Sequence, residues 1–137
     1  MSSNFKITVY YEDTDFSGVV YHANYFKFIE RARSELIHSL GIDQLKLRHD
    51  KMAFAVSSVT AKFASPAHFG DCLEVETDFC KVGGASIQLQ QRVLRKQKYI
   101  FVADVRLALV LQGRAIRIPI QLKEKLMNWT DLNNKKL

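Results

Sequence analysis

The sequence predicts an α+β fold in which a curved antiparallel five-stranded sheet wraps around one long central helix. Three observations carry this prediction. One helical apolar stripe lies near the start of the chain, four strand-like runs follow it, and tight-turn signals separate the later runs. The helix of about 16 to 18 residues is roughly 25 Å long, close to the width of five strands. Its broad stripe suits burial under a concave sheet face.

Taken in order, residues 5–12 (FKITVYYE) alternate as a first strand, with Ile7, Val9 and Tyr11 on one face. Asp13 to Gly18 carries turn chemistry, because Asp and Ser compete for backbone bonds and Gly permits positive φ. From Asn24, a plausible N-cap, helical spacing sets in at Ile29, Ala32, Leu36, Ile37 and Leu40, and Gly41 suits the position after the helix. Phe26 and Arg33 stand at the margins of the stripe, and Glu30 and Arg33 read as an i,i+3 pair.

Asp43 to Lys51 reads as a polar link. Strands are expected over Met52–Phe63, Cys72–Val82, Ala85–Leu94 and Tyr99–Leu111. Gly83-Gly84 predicts a two-residue hairpin, and Gln112-Gly113 another turn. Pro119 can open a short helix running through Met127. The whole chain, 1–137, reads as a single domain with a core over 5–127, and the polar residues 130–137 are expected to fray.

Composition narrows the function classes. No apolar run reaches the roughly 18 residues of a membrane span, so no integral membrane association is expected. The N-terminus lacks the basic-then-apolar layout of a secretory signal, and a cytoplasmic location is expected. Cys72 and Cys80, eight residues apart on one strand, are separated by roughly 26 Å and cannot bridge within it. They are expected as free structural thiols, and no Cys/His cluster points to a metal. The net charge of +6 suits an anionic partner. Without a phosphate loop, zinc-finger spacing or aromatic RNA-binding motif, nucleic acid is not expected to be that partner.

The densest chemistry lies in Tyr10 to Glu35, YYEDTDFSGVVYHANYFKFIERARSE. A carboxylate can act as base or nucleophile, and the unpaired N–H groups of a helix N-terminus can stabilise an oxyanion. Asp15 precedes the helix start by a few residues, so both parts can converge on one carbonyl. Against this stands the ordinary behaviour of Asp13 and Asp15 as turn residues, of His22 as a packed side chain and of Tyr11 as a strand residue.

The string Tyr11-x-x-x-Asp15-x-x-Gly18-Val19-Val20-Tyr21-His22-x-Asn24-Tyr25 resembles the active-site segment of hotdog-fold acyl-CoA thioesterases of the 4-hydroxybenzoyl-CoA thioesterase type. Within that type it is similar to the bacterial acyl-CoA thioesterases associated with the Tol-Pal system. FIERARSE, FASPAHFGDCLEV and GRAIRIP resemble the family less specifically, and together the matches cover nearly all of residues 5–127. The resemblance implies the hotdog sheet around a helix, a homodimer or homotetramer, and hydrolysis of short-chain or aromatic acyl-CoA to acid and thiol without cofactor or metal.

It further implies Asp15 as the catalytic carboxylate and the backbone N–H of His22 as the carbonyl-polarising donor. Tyr11 is a third candidate for the chemistry. Gly18, Val19, Tyr21, Asn24 and Tyr25 fall in the substrate-binding segment. Arg92 and Arg95, with Lys96 and Lys98, are candidate partners for the CoA phosphates, with Lys62 and Arg114 behind them, and solvated surface charge is the competing reading. Acyl carrier protein is a second candidate donor, because basic surface would steer an acidic partner. Two rival functions are a non-catalytic acyl-CoA or carrier-protein binding module and an enoyl-thioester hydratase on the same fold.

Overall fold

The computed structural model describes residues 3–135. Its elements are β1 (Ser3–Thr8), α1 (Asn24–Ser39), α2 (Gln44–His49), β2 (Met52–Phe63), β3 (Cys72–Val82), β4 (Ser86–Arg95), β5 (Lys98–Leu111), β6 (Arg114–Ile116) and α3 (Ile120–Lys135). The strands form one antiparallel sheet in the order β1-β3-β4-β5-β2. A sixth, three-residue strand, β6, joins the expected five by pairing with Leu109–Leu111 of β5, beyond the point where β4 ends.

Alternation decides which face of each strand meets the helix. Leu73, Val75, Thr77 and Phe79 of β3 are buried, as are Ile87, Leu89, Gln91 and Val93 of β4. Phe101, Ala103, Val105, Leu107 and Leu109 of β5 continue that layer, while Asp104 and Arg106 face out. Against it α1 sets Tyr25, Phe28, Ile29, Ala32, Leu36 and Ile37, residues spaced at three and four. Each fully buried large side chain contributes about 1.5–3 kcal/mol, so this face dominates the stability of the fold. Helix α3 packs against β3, and Lys125 Nζ donates to the Gly41 carbonyl at 2.9 Å beside the end of α1.

Several local expectations are corrected. The first strand stops at Thr8, and Tyr11–Asp13 forms a single 3-10 turn, closed by the Tyr10 N–H donating to Asp13 Oδ2 at 2.9 Å. Val9 is therefore buried while Tyr11 turns outward. The link after α1 contains α2, capped by Asp43, whose Oδ1 accepts from Leu45 N at 3.0 Å and Lys46 N at 3.2 Å. The β3–β4 connection spans four residues between the paired Val82 and Ile87, and neither glycine takes positive φ. The two-residue turns with positive φ are instead Lys96-Gln97 and Gln112-Gly113, both matching the twist of their hairpins. Helix α3 continues past the expected end at Met127 to Lys135; 136–137 lie outside the described residues.

Both cysteines are free, and both are exposed rather than packed into the core. Among the described residues no helix is long and apolar enough to cross a membrane, and no group of His, Cys, Asp and Glu could hold a metal ion.

Candidate active site

The segment between the 3-10 turn and α1 is a closed loop. Asp15 N–H donates to the Val19 carbonyl at 2.9 Å, and Gly18 N–H returns to the Asp15 carbonyl at 3.0 Å. Gly18 sits at φ +84°, a backbone state that side chains other than glycine's enter at a cost of about 1–2 kcal/mol. This tight turn holds Phe16 and Ser17 at its exposed tip and leaves the Asp15 carboxylate facing solvent.

Ser17 fixes that carboxylate. Its backbone N–H and its hydroxyl both donate to Asp15 Oδ1, at 2.9 and 2.6 Å. The hydroxyl bond first, and the N–H bond next, hold the Asp15 pKa below its ordinary value. The lowered pKa favours the ionised carboxylate, and among the described residues it bonds no other side chain.

A second layer anchors the loop to the sheet. Val20 N–H donates to the Ala67 carbonyl at 2.8 Å, and Val19 bridges to His68. Ala67 is fully buried, and its own N–H donates to the Tyr25 hydroxyl at 3.2 Å. The Tyr25 ring lies stacked on Phe101, 5.0 Å between centroids. Asp71 Oδ2 accepts from His68 N at 2.8 Å and from Arg95 Nη1 at 3.1 Å, while the same Nη1 donates to the Pro66 carbonyl at 2.6 Å. For Asp71, burial is the largest influence and raises the pKa, but the His68 and Arg95 bonds together lower it below the ordinary value.

Helix α1 starts beside this loop. Its N-cap is Ala23, which already has helical φ and ψ and offers no side-chain cap. Asn24, the expected cap, instead sends its Nδ2 back to the Asp13 carbonyl at 2.9 Å, and that carbonyl also takes the Tyr21 N–H at 3.0 Å. Among the described residues nothing accepts from the His22 backbone N–H. It stands free at the positive end of the helix, on an exposed residue.

The candidate residues therefore separate into two groups. Asp15, Gly18, Val19, Tyr21 and His22 lie on the loop and the helix start, with the Tyr21 and His22 rings 4.4 Å apart. Tyr11 is exposed nearby in sequence and leans edge-on against Phe69 at 6.0 Å. Tyr25, only 3% exposed, and Asn24 stand behind the loop and hold it. Arg92 is engaged by Glu76, at 3.0 Å, by Asp78 and by Gln90, at 2.7 Å, on the outer face of β3 and β4. Arg95 is the strut of the 66–71 loop. Both guanidinium groups are thus already committed to partners in the chain.

Sequence reasoning missed Ser17 and the 66–71 loop. An Asp-x-Ser spacing is the signal for the first, since Asx turns reach two residues on. The expected pair of Glu30 and Arg33 persists as a charge attraction, while their hydrogen bonds go elsewhere: Glu30 Oε1 accepts from Ser34 at 2.8 Å and Arg33 Nη1 donates to Gln91 Oε1 at 2.9 Å.

The sheet enclosing one helix, with a carboxylate on the turn before it, is the arrangement that the resemblance to hotdog thioesterases leads one to expect. Residues 9–129 match the family model described as the thioesterase-like superfamily, and the chain belongs to that family. The acyl-CoA thioesterase YbgC of Haemophilus influenzae is 40% identical over 112 residues, spanning 81% of this chain and 82% of that protein. The acyl-CoA thioester hydrolase YbgC of Escherichia coli O157:H7 is 40% identical over 66% of this chain and 68% of its own length. Among solved structures, a probable thioesterase from Bartonella henselae superposes with a TM-score of 0.82 at 34% identity, covering 87% of this chain and all of that one. A 4-hydroxybenzoyl CoA thioesterase, at 19% identity, shares the fold with a TM-score of 0.84 over 91% of this chain and 98% of the other.

Proposed function

We propose that this chain is an acyl-CoA thioesterase acting on short-chain or aromatic acyl groups, with Asp15 as its catalytic carboxylate. The observation that carries the reading is the pairing of an ionised, solvent-facing Asp15 with the unpartnered His22 N–H at the start of α1. A thioester carbonyl seated against that N–H gains stabilisation as its oxygen becomes anionic. Asp15 then drives the acyl transfer, by taking a proton from an attacking water or by adding to the carbonyl carbon itself. On either route the C–S bond breaks, the thiolate leaves with the bonding pair and takes up a proton, and water supplies the second oxygen of the acid. Gly18, Val19, Tyr21 and Tyr11 line the approach, while Asn24 and Tyr25 fix the loop from behind.

The proposed working form is a homodimer. Strand β2 is a 12-residue sheet edge with exposed Val56, Val59 and Phe63, and Tyr11, Phe16, Tyr21 and Phe69 add exposed aromatic surface around the loop. Long apolar edges of this kind are normally covered, and a second copy would also exclude water from Asp15. Light scattering on the purified chain separates this dimer from a monomer or a homotetramer. We place the protein in the cytoplasm with its CoA substrates. Acyl carrier protein remains a second donor on the strength of the +6 charge.

Asp15→Asn tests the chemistry. The expected result is loss of hydrolysis of a short acyl-CoA by about 10²–10⁴-fold or more, with fold and assembly retained. Wild-type turnover in that variant sinks the mechanism, whereas acyl-CoA binding by the wild type without thiol release favours the binding-module reading. Hydration of enoyl thioesters without thiol release would favour the hydratase.

A further inference from the structure

Arg33 lies toward the buried side of α1, yet the chain satisfies only part of its guanidinium. Among the described residues its one hydrogen bond runs from Nη1 to Gln91 Oε1 at 2.9 Å. Gln91 is fully buried and cannot move to follow a different partner, because its Nε2 donates to the Ile29 carbonyl at 2.8 Å and the Thr77 hydroxyl at 3.0 Å. The fork is clamped at one nitrogen; among the described residues its remaining donors make no hydrogen bond, and Glu30, one turn back, attracts the charge without bonding it. The side chain is only half-buried and keeps its charge there, so an oxygen placed within its reach gains a charge-assisted bond.

Beside Arg33 a cavity of about 170 Å³ opens between α1 and the β2 edge. Phe26, Ile29, Val56, Val59 and Val105 line it, and Arg33 is its one charged lining residue. Its size is near that of the engineered cavity of about 150 Å³ that admits benzene. Toward the helix start, Phe26 meets Phe63 edge-on at 6.4 Å, and Phe63 faces the His22 ring at 6.4 Å. From His22 to Arg33 is about 16 Å along the helix at 1.5 Å per residue, and side chains on a helix lean back toward its N-terminus.

Resting on the acyl-CoA reading, we propose that Arg33 determines specificity at the far end of the acyl groove, favouring medium-length chains that end in an oxygen acceptor, a carboxylate above all. A methyl terminus leaves the free guanidinium donors desolvated and unpaired. A terminal carboxylate accepts them in a charge-assisted pair. The five apolar lining residues hold the methylenes between the thioester and that end.

The test compares adipyl-CoA and suberyl-CoA with hexanoyl-CoA and octanoyl-CoA, pairs matched in length. The wild type is expected to prefer the carboxylate-ended member by about tenfold or more in kcat/KM, the effect of one charge-assisted bond. Arg33→Met should erase the preference, mainly through KM, and Arg33→Lys should keep part of it. Calorimetric binding of the same four compounds to Asp15→Asn reads the preference without hydrolysis. Equal use of both chain types by the wild type, or an unchanged ratio in Arg33→Met, overturns the proposal. Preference in binding without turnover of any thioester overturns the thioesterase reading and leaves Arg33 standing. Should Arg33→Met fail to fold, the wild-type ratio and the binding series still decide.

Discussion

Ser17 donates twice to one oxygen of Asp15, through its hydroxyl at 2.6 Å and its backbone N–H at 2.9 Å. A residue two positions along the turn thereby lowers the pKa of the carboxylate on which the proposed chemistry depends.

Ser17→Ala should move the acid limb of the pH–rate profile to higher pH. The working form of Asp15 is ionised, so activity falls as pH drops through its pKa. The hydroxyl bond is the largest influence holding that pKa below the ordinary value. Removing it raises the pKa, and loss of activity begins at a higher pH. The corresponding stability effect is present above the unfolded pKa and lost as pH falls through the folded one, but Asp15 is too exposed for it to matter to folding. A profile of kcat/KM against pH with an unmoved acid limb refutes this.

Tyr25→Phe should cost about 1–3 kcal/mol, because it strands the N–H of the fully buried Ala67. The ring stack on Phe101 survives, so the loss is confined to the hydroxyl and the loop it holds. Amide exchange at Ala67 should speed up and turnover should fall, since Val20 hangs on the Ala67 carbonyl at 2.8 Å. Urea unfolding coincident with wild type would show that the hydroxyl contributes nothing.

Gln91→Met keeps the volume at the centre of the sheet and deletes every bond of the buried amide. Thr77, the Ile29 carbonyl and Arg33 each lose a partner. A loss of about 1–3 kcal/mol in denaturant unfolding is expected, with the transition remaining cooperative. No change in the midpoint would mean that this polar cluster is dispensable.

Elements with long periodic patterns were legible in the sequence. Met52–Phe63 and Cys72–Val82 coincide with β2 and β3, and Asn24–Ser39 falls where the apolar stripe placed the helix. Short features decided by competing hydrogen bonds were less so. Asn24 looks like a cap, but the Asp13 carbonyl, eleven residues back, captures its amide. Lys96-Gln97 makes a left-handed turn without Gly or Asn, so its composition carries no warning. Asp43 does signal the start of α2, yet a six-residue helix leaves little periodicity to read. At the candidate site, Asp15 and His22 stand out because their spacing is local. The Arg33–Gln91 bond spans 58 residues, and only the folded sheet brings the two together.

Among the described residues Asp15 bonds no side chain beyond Ser17, and it projects from a turn whose anchoring is done by backbone groups and by buried residues behind it. Exchanging this carboxylate therefore leaves the anchoring intact. Such an architecture is forgiving of experiment: a lineage can trial new reactive groups at the tip while the sheet, the helix and Tyr25 keep presenting whatever stands there. Durability and chemistry are inherited separately, and the second can be rewritten without endangering the first.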